Sequence, residues 1–130
     1  MELNKVTIIG GGVLGSQIGL MCAYVGKDVT FWLRSVGSIE RAKPKLERYS
    51  ALMLQDLQNA KALIGSPLGK LTYPKGLIRD WTSVTPEGID ALTAQAKENF
   101  AARIRFELDL GKALADADVV IEAMAEDPKA

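Results

Sequence analysis

A short apolar run, Val6-Thr7-Ile8-Ile9, leads straight into Gly10-Gly11-Gly12-Val13-Leu14-Gly15, and the residues beyond read as one helix. A strand, a glycine turn and a helix in that order leave few folds open, because the chain must reverse tightly and lay the helix back along the strand. Gly10, Gly12 and Gly15 stand at the spacing of the dinucleotide fingerprint. The first glycine makes the turn, the second lets backbone approach a pyrophosphate, and the third brings helix and strand together. A side chain at Gly12 would occupy the space the phosphates need. The helix beginning there turns its unpaired N–H groups and the positive end of its dipole toward that anion, which draws Val13 and Leu14 into the expected site.

Three glycines in six residues also occur in tight turns that bind nothing, so the context decides. Leu14, Ile18, Met21, Cys22 and Val25 follow one another at spacings of four, three, one and three, which predicts an apolar helix stripe facing the core. Gly19, one turn beyond Gly15, extends a flat face against the sheet. Gly26 stops the helix, and Val29-Thr30-Phe31-Trp32-Leu33 reads as a second buried strand. The result is a β-α-β unit.

The rest of the composition narrows the function. In 130 residues, 48% hydrophobic and 25% charged, there is material for one ordinary core. Sixteen basic and sixteen acidic residues cancel, so no net field favours nucleic acid or an anionic membrane. No apolar run approaches ~18 residues and no signal peptide is read before the first strand, so a cytoplasmic protein is expected. The chain has no histidine and one cysteine, Cys22. That removes the Ser-His-Asp arrangement and the usual zinc ligands, and no metal site is expected. Cys22 reads as a buried reduced thiol rather than a nucleophile.

Cofactor choice turns on the end of the second strand. NAD-selective folds place an acid there, about twenty residues past the glycines, to accept hydrogen bonds from the ribose 2′-OH. Here stand Leu33, Arg34 and Ser35. Leu33 cannot accept such bonds, whereas Arg34 and Ser35 can donate to a 2′-phosphate, so NADP is favoured over NAD. The alternative for Arg34 is a solvated loop charge. Asp28 begins the strand at the far end and is no substitute.

Ile39, Ala42, Leu46, Tyr49, Met53, Leu57, Ala60 and Ile64 recur at intervals of three and four, predicting a long amphipathic helix. Pro44 either kinks it or opens it from the first turn. Arg41, Lys43, Lys45 and Arg48 read as a solvated face, with phosphates of a nucleotide-like substrate as the alternative. Residues 65–85 lose periodicity yet hold Leu71, Tyr73, Leu77, Ile78 and Trp81, which suits an ordered loop packed on the domain. Thr85-Pro86-Glu87 starts a helix running to about Arg103 on Ile89, Leu92, Ala96 and Phe100. Ile104 to Leu108 is a third strand, and Asp109 caps a short helix through Ala115. Val119-Val120-Ile121 is a fourth strand, whose apolar run reads as buried on both faces. Right-handed crossovers give a Rossmann-type doubly wound parallel α/β sheet in the order 3-2-1-4, stopping after strand four. The crevice lies at the carboxyl ends of strands one and four, with the backbone of Ala123 to Ala125 facing Gly10 to Leu14.

The run from Lys5 to Gly15, the long helical excursion, and above all Asp109-Leu110 and Ala113-Leu114-Ala115-Asp116-Ala117-Asp118-Val119-Val120-Ile121-Glu122-Ala123 resemble the N-terminal nucleotide-binding domain of 3-hydroxyacyl-CoA dehydrogenases over essentially the whole chain. That resemblance implies an oxidoreductase domain that binds NAD for hydride transfer between a 3-hydroxyacyl-CoA and its 3-keto form. It assigns Gly10, Gly12 and Gly15 to the pyrophosphate and Ala123, Met124 and Glu126 to the loop beside the nicotinamide ribose. Two departures stand out. Leu33 replaces the family's acid, and the family's catalytic His-Glu pair and acyl-CoA-shaping helical domain have no counterpart in residues 1–130. The chain is therefore expected to be a fragment that binds cofactor without catalysing, with no catalytic residue of its own. Its apolar fourth strand forms an open edge that invites self-association or completion by another polypeptide. A stand-alone nucleotide-binding or sensing module, and a Rossmann oxidoreductase acting on a small hydroxy or keto acid, are the alternatives.

Overall fold

The computed structural model describes residues 3–64, 77–78 and 83–123. Four parallel strands, β1 (Lys5–Ile9), β2 (Asp28–Trp32), β3 (Ile104–Glu107) and β4 (Val119–Glu122), lie in the order β3-β2-β1-β4. Helices α1 (Val13–Tyr24), α2 (Val36–Asn59) and α3 (Pro86–Ala102) join them in sequence, with a short 3₁₀ turn at Ala60–Leu63 and a six-residue α4 (Leu110–Ala115) between β3 and β4. The expected doubly wound order is thus present.

Local chemistry sets the boundaries. Ser35, Thr85 and Asp109 each accept a hydrogen bond from the N–H three residues on, capping α2, α3 and α4. Gly26, at φ +91°, ends α1, where a residue with a Cβ would be strained. The Asp118 carboxylate accepts from the backbone N–H groups of Asn4 and Lys5 at 3.0 and 2.9 Å, which pins the start of β4 beside the start of β1.

Two apolar clusters make the core. Val6, Ile8, Leu20, Ala23, Val29, Phe31 and Leu46 fill the space between the sheet, α1 and α2, with Phe106 stacked 5.9 Å from Phe31. Burial of Phe31, Ile8 and Leu20 stabilises by about 1.5–3 kcal/mol each. Leu57, Ala60, Leu77, Ile89 and Ala96 knit α2 to α3. Leu77 is the point at which the expected packed loop meets the core, and its carbonyl accepts from the Tyr24 hydroxyl at 2.6 Å; residues 65–76 and 79–82 lie outside the described residues.

Three expectations change. The buried face of α1 is Gly15, Ser16, Gly19, Leu20 and Ala23, not the predicted stripe, and Leu14 and Val25 are exposed. Small residues let the helix axis approach the sheet, while Ile18 and Cys22 flank one cluster and Met21 the other. Pro44 sits inside α2, which begins at Val36, so the proline does not open the helix. Finally, β4 lies at the sheet edge as expected but is not buried on both faces: Val120 is 47% exposed, because nothing among the described residues covers that side.

Candidate functional site

Strand register brings three loops to one edge. Ile9 pairs with Trp32 on one side and Glu122 on the other, so the chain leaves the sheet together at Gly10, Leu33 and Ala123. Backbone bonds fasten all three: Gly10 N–H donates to Trp32 O, Ala123 N–H to Ile9 O, and Leu33 N–H to Glu107 O at 3.0, 2.9 and 3.2 Å. Between them lies a cavity of about 300 Å³.

One wall is the glycine turn. Gly10 has φ +116°, as the turn requires. Gly15 is tightly packed: a Cβ there would stand 3.1 Å from Ala123 Cβ and 3.2 Å from Gly10 O, so these neighbours would have to give way. Gly12 differs. A Cβ on it would meet no protein atom within 4 Å, although Gly12 is the N-cap of α1 in ordinary extended geometry. Among the described residues no side chain caps this helix, unlike the starts of α2, α3 and α4, and no acid stands in its first turn. The N–H groups of Val13, Leu14 and Gly15 therefore have no capping side chain among the described residues and are left to solvent or a ligand. Val13 and Leu14 keep their side chains exposed, 52% and 63%, and offer backbone.

The opposite wall comes from the end of β2 and the first turns of α2. Leu33 is buried and leans over Gly11, where its Cδ2 leaves no space for a side chain. Arg34 lines the cavity from the exposed loop. Ser35 does not: its hydroxyl caps α2 by accepting from Ser38 N–H at 3.1 Å. Ser38, Arg41 and Lys45 project into the cavity instead, flanking buried Ala42. Sequence reasoning grouped Arg41 and Lys45 with Lys43 and Arg48. The structure divides the four: Lys43 lies over the Phe106 ring and Arg48 over Tyr49, both away from the crevice. The usable signal is spacing, since residues 38, 41 and 45 share the helix face that borders Ala42.

Trp32 joins the lining, its Nε1 donating to Leu108 O at 2.8 Å. Every charged residue lining the cavity among the described residues is a cation: Arg34, Arg41 and Lys45. Met124 and Glu126, expected beside the nicotinamide ribose, lie outside the described residues. Asp28 is held at the far end by Arg103 at 3.1 Å. Burial pushes the Cys22 thiol up and Lys27 only partly opposes it, which suits a packing role. Among the described residues no group of acidic or cysteine side chains could hold a metal ion, and no helix is long and apolar enough to cross a membrane.

A 3-2-1-4 parallel sheet with a glycine turn after β1 and a cavity at its carboxyl edge defines the Rossmann-type nucleotide-binding fold. Solved structures make the likeness more particular. The chain is similar to a diketoreductase described as acting on dicarbonyl compounds (27% identity, TM-score 0.63, 98% of this chain and 34% of that one). It is also similar to (S)-3-hydroxybutyryl-CoA dehydrogenase from Ralstonia eutropha (20%, 0.58, 98% and 33%). A third likeness is to the dehydrogenase part of multifunctional enzyme 1 from C. elegans (19%, 0.57, 99% and 21%). The resemblance to 3-hydroxyacyl-CoA dehydrogenases read from the sequence thus holds for the fold, and the chain spans about a third or less of each of these structures. No protein-family model matches the sequence, and no curated protein does.

Proposed function

We propose that this chain is the dinucleotide-binding domain of an NAD(P)-dependent oxidoreductase of the 3-hydroxyacyl-CoA dehydrogenase kind. The observation that carries the reading is the open space at Gly12 in front of an uncapped helix start. A diphosphate fits it: the N–H groups of Val13, Leu14 and Gly15 donate to the phosphate oxygens and the α1 dipole favours their charge. Gly10 and Gly15 hold the turn that presents those groups, and Ala123, Met124 and Glu126 are assigned to the nicotinamide-ribose side. When bound, a nicotinamide dinucleotide supplies hydride chemistry; these residues bind and orient it and move no proton.

NADP is favoured over NAD. Leu33 is turned inward onto Gly11 and offers no acceptor for a ribose 2′-OH, while Arg34 lines the cavity and can donate to a 2′-phosphate. Charge-assisted bonds of roughly 1.5–3 kcal/mol each give on the order of tenfold preference or more. Catalytic groups and any acyl-CoA pocket are assigned to a further domain, in keeping with the roughly two thirds or more of each similar structure that lies outside the match. The likeness to a diketoreductase favours a second reading of the substrate, a small dicarbonyl or hydroxy acid in place of an acyl-CoA. The open β4 edge, with Val120 exposed, supports self-association through that strand. A clean monomer in sedimentation at high concentration contradicts this.

Titration of NADP, NADPH, NAD and NADH against Trp32 fluorescence tests the binding role, because Trp32 lines the cavity. Quenching or enhancement that saturates is expected with all four, at lower concentration for the phosphorylated pair. NAD binding as tightly as NADP, with Arg34→Ala making no difference, contradicts the role given to Arg34.

A further inference from the structure

We propose that Arg41 and Lys45 of α2 clamp a ribose phosphomonoester, the 2′-phosphate of NADP, and that the hydroxyls of Ser35 and Ser38 position Arg41 for it. The proposal rests on the dinucleotide reading above and names which side chains set its cofactor choice.

Four observations converge. Arg41 and Lys45 are one helical turn apart and both line the cavity that also holds the glycine turn. With Arg34 they make a triply cationic wall that no carboxylate among the described residues interrupts. The site where an NAD-selective fold places its acid is filled by the buried side chain of Leu33 packed over Gly11, so the ribose edge meets cations instead of an acceptor. Last, Arg41 is held in place: its Nη2 donates to Ser38 Oγ at 3.1 Å, and Ser38 Oγ is 3.0 Å from the Ser35 hydroxyl that caps the helix. A planar guanidinium steadied on one edge keeps its remaining N–H groups for a phosphate, and a phosphomonoester carries close to two negative charges at neutral pH. A diphosphate needs neither group, since α1 serves it with backbone.

The same chemistry would suit a 3′-phosphate on the adenosine ribose, as in a coenzyme A head. Position tells the two apart, and the assignment is to the 2′-phosphate of a dinucleotide whose diphosphate sits at Gly12.

The test measures binding of NADP, NAD, adenosine 2′,5′-bisphosphate and adenosine 3′,5′-bisphosphate to the full chain by Trp32 fluorescence. The variants are Arg41→Ala, Lys45→Gln, Ser38→Ala, Ser38→Thr and, as a control of equal charge on the same helix, Lys43→Ala. Arg41→Ala and Lys45→Gln are each expected to weaken NADP and the 2′,5′-bisphosphate about tenfold and to leave NAD within about twofold. Lys43→Ala is expected to change neither. Ser38→Ala lowers the NADP-to-NAD preference and Ser38→Thr, which keeps the hydroxyl, restores it; a merely structural role would move both cofactors together. Equal losses for NAD and NADP, an equal effect of Lys43→Ala, or tighter binding of the 3′,5′-bisphosphate each overturns the clamp. Those outcomes leave the dinucleotide reading standing, whereas a wild-type chain that binds no dinucleotide removes that reading and the clamp with it.

Discussion

Gly12 and Gly19 lie two turns apart on one helix start, yet they are glycines for opposite reasons. A Cβ at Gly19 would enter the Phe31 ring, with Cε1 and Cε2 both at 3.0 Å and Cζ nearer still. A Cβ at Gly12 would touch nothing. One absence of a side chain is filled by the protein itself, and the other faces open space under three N–H groups that no side chain caps. On the proposed reading, the vacancy at Gly12, where backbone geometry does not demand glycine, serves the dinucleotide.

Substitutions can break that contrast. The largest expected effect is Gly12→Asp, which places a carboxylate on the α1 N-cap. The fold should gain a few tenths of a kcal/mol from the new cap, or stay unchanged. Both NAD and NADP should bind at least about a hundredfold more weakly, as an anion now holds the donors and repels the diphosphate. Parallel thermal melts and fluorescence titrations check it. Gly19→Val should do the reverse, costing about 1–3 kcal/mol in denaturant unfolding because the buried Phe31 ring must shift. Dinucleotide affinity of the folded fraction should stay near wild type.

Smaller effects sharpen the difference between α1 and α2. Ser35→Ala removes a helix cap and should cost about 1 kcal/mol of stability. It should also lower the NADP-to-NAD preference, whereas Thr85→Ala, the matching cap loss on α3, should cost a similar amount and leave that preference untouched. The smallest effect concerns salt. Raising ionic strength from about 0.01 M to 0.15 M shortens the Debye length from roughly 30 to 8 Å, so the preference due to exposed Arg34 and Arg41 should fall a few-fold while NAD affinity changes less.

Much of this was legible in the sequence. The glycine spacing, the caps at Thr85 and Asp109, and Gly26 as a stop are local rules, and each element formed where those residues stand. Strand order followed from right-handed crossovers. The buried face of α1 was not legible, because Gly15, Ser16 and Gly19 carry no hydrophobic signal and are chosen for the closeness they permit. The division of Arg41 and Lys45 from Lys43 and Arg48 depends on the phase of α2 about its axis relative to the crevice, which only packing sets. The apolar run of β4 predicted burial on both faces, yet its own edge position leaves Val120 exposed, because an apolar side chain does not by itself supply a covering element.

The most direct measurement is the amide spectrum of the labelled chain during titration with NADP. The resonances of Gly12, Val13, Leu14 and Gly15 should move the most, saturating together with the Trp32 signal, and NAD should shift the same four. If saturating dinucleotide leaves those amides where they are, or perturbs only groups remote from the glycine turn, the α1 N-terminus does not seat a diphosphate and the account fails.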